Sequence, residues 1–231
     1  MRAPRVVVVR RLQWPFDGSR DPLVAIAAPA PGCRGRQERV DPFPCYLHDA
    51  ALVREQLASV AARFPLGAPC LVSLVAFESL DRTNGCCEIA SAWGEGGKET
   101  GWAASIRLWG KRIPPHPAMT RYLVAHEYGH AVEAAIARTE FSDGKAGDRS
   151  SRLGAAYREL RGLRRAPRGG YGGQTWHVAT GEIFANDFRI LVCDVEPEFW
   201  PHAGIRRPHE VRGLREWWVR HVADQRGRVA A

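Results

Sequence analysis

His126 and His130 stand four residues apart in the run Arg121-Tyr122-Leu123-Val124-Ala125-His126-Glu127-Tyr128-Gly129-His130-Ala131-Val132-Glu133-Ala134-Ala135. Most of these residues favour helix. On a helix, positions four apart sit about 40° apart around the axis, so both imidazoles project from one face and can reach a single Zn²⁺. Glu127 lies one residue along, beside that face. A carboxylate there can take a proton from water, the general-base task of the His-Glu-x-x-His pattern in metal-assisted peptide hydrolysis.

Two imidazoles are one protein ligand short of a catalytic zinc site, which ordinarily has three protein donors and one open position. The long motif with a third histidine after a glycine is excluded, because Glu133 and Ile136 occupy the positions concerned. The best candidate is Glu182, in the first turn of a helix expected over Thr180 to Val195, with Thr180 as its N-cap. Asp187 and His177 are the alternative third ligands. Asn186, one turn beyond Glu182 on the same face, can accept the second ring N–H of a ligating histidine and so fix its orientation. Asp187 is the alternative for that role. One zinc ion per chain is the expected cofactor.

The segments His126-Glu127-Tyr128-Gly129-His130-Ala131-Val132-Glu133, Tyr171-Gly172-Gly173-Gln174-Thr175 and Glu182-Ile183-Phe184-Ala185-Asn186-Asp187-Phe188-Arg189 together resemble the catalytic domain of anthrax lethal factor and the related Pro-Pro endopeptidases. These are gluzincin metallopeptidases. The resemblance is strongest at the two helices and does not extend to the N-terminal part of the chain. It implies a zincin-like fold in which His126, His130 and Glu182 bind zinc, Glu127 is the general base and Tyr171 donates to the oxyanion. His177 is the other candidate for the oxyanion donor.

These residues must be carried by the rest of a 231-residue chain, enough for one domain or a core split by a cleft into two lobes. Hydrophobic residues are 45% and charged ones 25%, an ordinary globular balance, and no stretch of about 20 apolar residues could span a bilayer. The N-terminus has only four consecutive valines, Val6 to Val9, too few for the centre of a signal peptide. Six cysteines without a C-x-x-C spacing do not suggest a disulfide framework. The expectation is a cytoplasmic monomer with reduced thiols and no membrane partner.

The periodicity predicts strands over Arg5–Leu12, Leu23–Ala28, Cys70–Phe77, Cys86–Trp93 and Trp102–Trp109, the last two joined through the glycine-rich Gly94–Lys98. It predicts helices over His48–Phe64, Ala118–Thr139, Ser151–Leu163, Thr180–Val195 and Pro208–Val222. This is an α+β arrangement: a mixed twisted sheet with an active-site helix, followed by a mainly helical C-terminal lobe. Residues 1–142 are the N-terminal lobe, with the sheet and the His-Glu-x-x-His helix. Residues 143–231 are the C-terminal lobe, which carries the third ligand, and the two make a single domain. Partial alternation in Trp102–Trp109 suits an edge strand, along which a peptide or protein substrate would add itself to the sheet.

Two other functions compete. The net charge of +8 comes almost wholly from arginine, since Lys98, Lys111 and Lys145 are the only lysines. Arg152, Arg158, Arg161, Arg164 and Arg165 fall on or near the polar side of one helix. A zinc-containing scaffold or transcriptional regulator would use such a surface on nucleic acid, but a solvated helix face is the simpler account and nucleic acid the less expected partner. A deformylase-like amidase would pair a cysteine with the two histidines. Asn84-Gly85-Cys86-Cys87-Glu88 offers one upstream, but the glycine-rich first motif of that family is missing.

Overall fold

The computed structural model describes residues 23–27, 45–75, 84–93, 99–141, 152–163, 179–197 and 200–230. The strand expected over Arg5–Leu12 lies outside them. In chain order the elements are β1 (Leu23–Ala27), α1 (Ala50–Arg63), β2 (Cys70–Val75), β3 (Gly85–Trp93), β4 (Glu99–Trp109), α2 (Pro117–Glu140), α3 (Arg152–Arg161), α4 (Thr180–Leu191), a short 3₁₀ turn (Pro208–Glu210) and α5 (Leu214–Ala230). The α+β class is therefore as expected. No described helix is long and apolar enough to cross a membrane, and none of the five described cysteines is in a disulfide.

The chain divides into two compact units, Met1–Ala58 with Ala68–Val124, and Ser59–Gly67 with Ala125–Ala231. The division falls inside α2. A long apolar helix offers no composition change at that point, so nothing in the local sequence marks it.

The first unit holds a mixed sheet of order β1-β2-β4-β3. β1 runs parallel to β2 and β2 parallel to β4, with Val72 opposite Ile106, while β3 and β4 form an antiparallel pair with Ile89 opposite Ala104. The expectation that Trp102–Trp109 is an edge strand is thus incorrect. β4 is hydrogen-bonded on both sides, and among the described strands the free edge beside it belongs to β3. Its polar positions misled the alternation: Ser105 is buried, and Arg107, only partly exposed, pairs with Glu88 on the neighbouring strand. A cross-strand ion pair looks like solvent exposure when only one strand is read. In the same unit His48 Nδ1 meets Thr120 Oγ1 at 2.8 Å, fixing the first turn of α2. Burial lowers the pKa of His48, so the ring is held neutral there.

Among its described residues the second unit contains helices joined by turns and loops, and no strand. Its core is aromatic. Phe188 lies against Tyr128 (centroids 6.1 Å apart, 27° between planes), edge-on to Phe64 at 6.2 Å and beside Trp218 at 5.6 Å. Phe184 meets Tyr157 at 5.0 Å and Trp218 at 4.9 Å. Such contacts each add about 0.5–1.5 kcal/mol beyond the area they bury. The Tyr128 hydroxyl donates to Phe64 O at 2.9 Å, so its polar end is satisfied as well.

The last helix differs from expectation. Pro208–Glu210 is a 3₁₀ turn, and Gly213, at φ 80°, turns the chain into α5, which starts at Leu214 and continues to Ala230. Leu214, Trp217, Trp218, His221 and Gln225 are its buried side chains, while Val222 is only half buried. The Gln225 amide donates to Pro65 O and Leu66 O, each at 3.0 Å. His221 Nδ1 stands 2.6 Å from Glu140 Oε2 at the end of α2. Hydrogen bonds thus account for the buried Gln225 on this face, and the Glu140 carboxylate lies beside buried His221.

Candidate metal centre

α2 and α4 supply the site, and the two unspecified residues of His126-Glu127-Tyr128-Gly129-His130 bring them together. Tyr128 packs on Phe188 of α4. Gly129 has no side chain because none fits: a Cβ there would stand 2.8 Å from Ala185 Cα and 3.0 Å from Ala185 O. The helices meet backbone to backbone at this point. Glu182, three residues before Ala185, is thereby carried onto the histidine face of α2.

His126 Nε2 is 3.0 Å from Glu182 Oε2, and His130 Nε2 is 3.7 Å from Glu182 Oε1. The rings are edge-on to one another with centroids 5.0 Å apart. The three donor atoms all lie within 4.8 Å of one another. A tetrahedral ion at about 2.0–2.1 Å from nitrogen and oxygen donors holds them roughly 3.3–3.4 Å apart, within the 4.8 Å that contains all three donor atoms here. Two neutral imidazoles and a carboxylate are also a donor set that zinc prefers. The residues fit the ion.

The electrostatics show how strongly these groups feel each other. Burial opposes charge on His130, but its hydrogen bond to Glu182 and the nearby carboxylates Glu127 and Glu133 outweigh this and raise its pKa to about 9. Burial also works against a charged Glu182, yet the two histidines hold its carboxyl well below the usual carboxylate range. Burial raises the pKa of Glu127, which His126 and His130 partly offset. Glu127 is 5% exposed, so its carboxyl is withdrawn from bulk water beside the cluster.

The supporting residues differ from expectation. Asn186 is fully buried, but the bonds that define its orientation go elsewhere: its amide donates to Glu182 O at 3.0 Å and meets His202 Nε2 at 2.8 Å. Its carbonyl accepts from Arg189 Nε at 3.2 Å and Nη2 at 2.7 Å. Among the described residues Asp187 does not join the cluster of His126, His130 and Glu182. It accepts from the Tyr157 hydroxyl and lies 3.0 Å from Arg161 Nε, with both charged side chains fully buried. Burial raises its pKa to about 7, against the pull of Arg161.

Arg161 consequently leaves the arginine surface expected on α3, where Arg152 is exposed and Arg158 half buried. Arg164 and Arg165 lie outside the described residues, as do Tyr171 and His177. Thr180 is not an N-cap. Ala179 holds that position without a side-chain cap, and the Thr180 hydroxyl is a buried oxygen lacking a hydrogen-bond partner among the described residues. Two participants went unanticipated. The i, i+3 spacing of His130 and Glu133 was a signal for buried Glu133; nothing in sequence spacing marked His202, which is wholly buried.

Compared with protein-family models, curated proteins and solved structures, the chain matches none of them.

Proposed function

We propose that this chain is a zinc metalloendopeptidase with a zincin-like fold, in which His126, His130 and Glu182 hold one Zn²⁺ and Glu127 is the general base. The observation that carries this reading is the convergence of three zinc-type donors from two helices, with a further buried carboxylate adjoining the first histidine. A purely structural zinc site generally fills all four positions with protein ligands, whereas three donors leave one position for chemistry. When bound, the ion supplies a water acidified toward a pKa of about 7 and Lewis-acid polarisation of a carbonyl.

Glu127 takes the proton from the attacking water and later returns it to the leaving amine. Its burial favours this exchange, because a raised carboxyl pKa lies closer to working pH and so suits proton transfer in both directions. Tyr171 or His177 donates a hydrogen bond to the oxyanion, a contribution whose loss ordinarily costs about a hundredfold or more in rate. The substrate is a peptide or protein. Its pairing along β4 is not retained, since that strand has no open side. Nucleic acid is disfavoured as a partner because Arg161 is internal.

The test is mass-spectrometric cleavage mapping of a proteome-derived peptide library with zinc-loaded wild type, chelated wild type and Glu127→Gln. Cleavage confined to the zinc-loaded wild type is the expected result. One zinc per chain with no cleavage in any sample would replace the peptidase by a zinc-containing scaffold.

A further inference from the structure

Arg189, Asn186 and His202 form a buried relay that ends on the main chain of Glu182. The direction of each bond follows from the first member. A guanidinium only donates, so the Asn186 oxygen must face Arg189, from which it accepts at 3.2 Å and 2.7 Å. The Asn186 nitrogen then faces the other way, donating to Glu182 O and to His202 Nε2. His202 Nε2 is therefore an acceptor, and the ring carries its proton on Nδ1 in the neutral form. Asn186, Arg189 and His202 are all wholly buried, so the relay is shielded from water. Trp200 packs edge-on against the imidazole with centroids 4.7 Å apart, and Arg189 Nη1 donates to Val195 O at 2.8 Å.

The relay acts at a weak point. Glu182 sits in the first turn of α4, where the N-cap Ala179 offers no side-chain hydrogen bond. A helix start without a side-chain cap has one contact fewer to hold its first turn in place, so a side-chain bond to the carbonyl of that turn matters more. The Asn186 amide grips the carbonyl of Glu182 from within the helix, and His202 in turn fixes that amide. We propose that His202 is a positioning residue for the metal centre: through Asn186 it holds the turn that presents Glu182 to His126 and His130.

This inference rests on the zinc reading, and its test uses Zn²⁺ and Co²⁺ binding rather than turnover. Zn²⁺ affinity is measured by competition with a chromophoric chelator, Co²⁺ geometry by its visible d–d bands, and folding by thermal unfolding of the metal-free protein. His202→Leu removes the acceptor and is expected to weaken Zn²⁺ binding about tenfold, the low end for outer partners of a metal ligand, and to alter the Co²⁺ bands. His202→Gln can place its amide oxygen where Nε2 stood, and should stay within about threefold of wild type with unaltered bands. His202→Asn is polar but too short to reach Asn186, so it should match the leucine variant and serves if that one does not fold.

Wild-type Zn²⁺ affinity and Co²⁺ bands in folded His202→Leu or His202→Asn, with only the unfolding temperature lowered, would reduce His202 to a packing residue and overturn the proposal. Equal loss of affinity in His202→Gln would overturn it too. Failure of the wild-type protein itself to bind either ion would overturn the centre, a result separable from both.

Discussion

Replacing Gly129 by alanine adds one methyl group at the closest approach of α2 and α4. Its Cβ would stand 2.8 Å from Ala185 Cα, 3.0 Å from Ala185 O and 3.1 Å from Ala185 Cβ, whereas carbon atoms pack comfortably at about 3.5–4.0 Å. Two of the three obstacles are backbone, so no rotamer relieves them, and α4 must retreat by roughly 0.5–1 Å. Overpacking of this kind costs about 1–3 kcal/mol. Alanine is a better helix former than glycine by about 1 kcal/mol, so the metal-free protein should lose no more than about 2 kcal/mol. Zinc has no such compensation, because ligand distances are held to within about 0.2 Å and Glu182 moves with its helix. The expected fall in Zn²⁺ affinity is about 10–100-fold.

The assay pairs chelator competition for Zn²⁺ with chemical unfolding of the metal-free protein. Adding Ala185→Gly should not restore affinity, since it removes only the 3.1 Å contact and leaves the two closer ones. Zinc affinity within twofold of wild type in Gly129→Ala, or full rescue by Ala185→Gly, would refute the close-approach argument.

Glu127→Gln should keep Zn²⁺ affinity within a few fold while lowering kcat by about a hundredfold or more, read from single-peptide turnover at saturating metal; equal losses in both would assign Glu127 to binding instead. In the metal-free protein His130 stays protonated to about pH 9, yet it must be neutral to ligate. Zinc entry at pH 7 should therefore expel a proton from His130, with affinity rising as pH is raised and levelling near pH 9. Calorimetry in buffers of different ionisation enthalpy measures that proton directly. Asp187 holds its proton to about pH 7 when folded, against 3.8 ordinarily. Between those values the unfolded chain binds fewer protons, so this group makes stability fall as pH rises. Urea unfolding from pH 4 to 8 should show that decline in wild type relative to Asp187→Asn; parallel curves would place the proton elsewhere.

The residues that carry their own period could be read directly. His126, Glu127 and His130 are fixed by one helical turn, and Glu182 was identifiable as a carboxylate at a helix start, so both halves of the centre were legible. β2, β3 and β4 were legible as apolar runs between glycine and proline signals. What failed was everything decided by a distant partner. The interior position of β4 depends on β2 pairing beside it, and Arg107 disguised this through Glu88. Asn186 shares a face with Glu182, but His202 and Arg189 determine where its amide points. Arg161 belonged to an arginine-rich helix until Asp187 drew it inside. Gly129 read as an unremarkable spacer because its meaning lies in the backbone of Ala185.

Zinc-edge X-ray absorption on the stoichiometrically loaded protein, compared with Glu182→Gln, tests the centre most directly. The account predicts one zinc per chain in a shell of nitrogen and oxygen at about 2.0–2.1 Å, with the outer scattering of two imidazoles and weakened occupancy in the variant. Sulfur at about 2.3 Å, or a shell unchanged by Glu182→Gln, would contradict it.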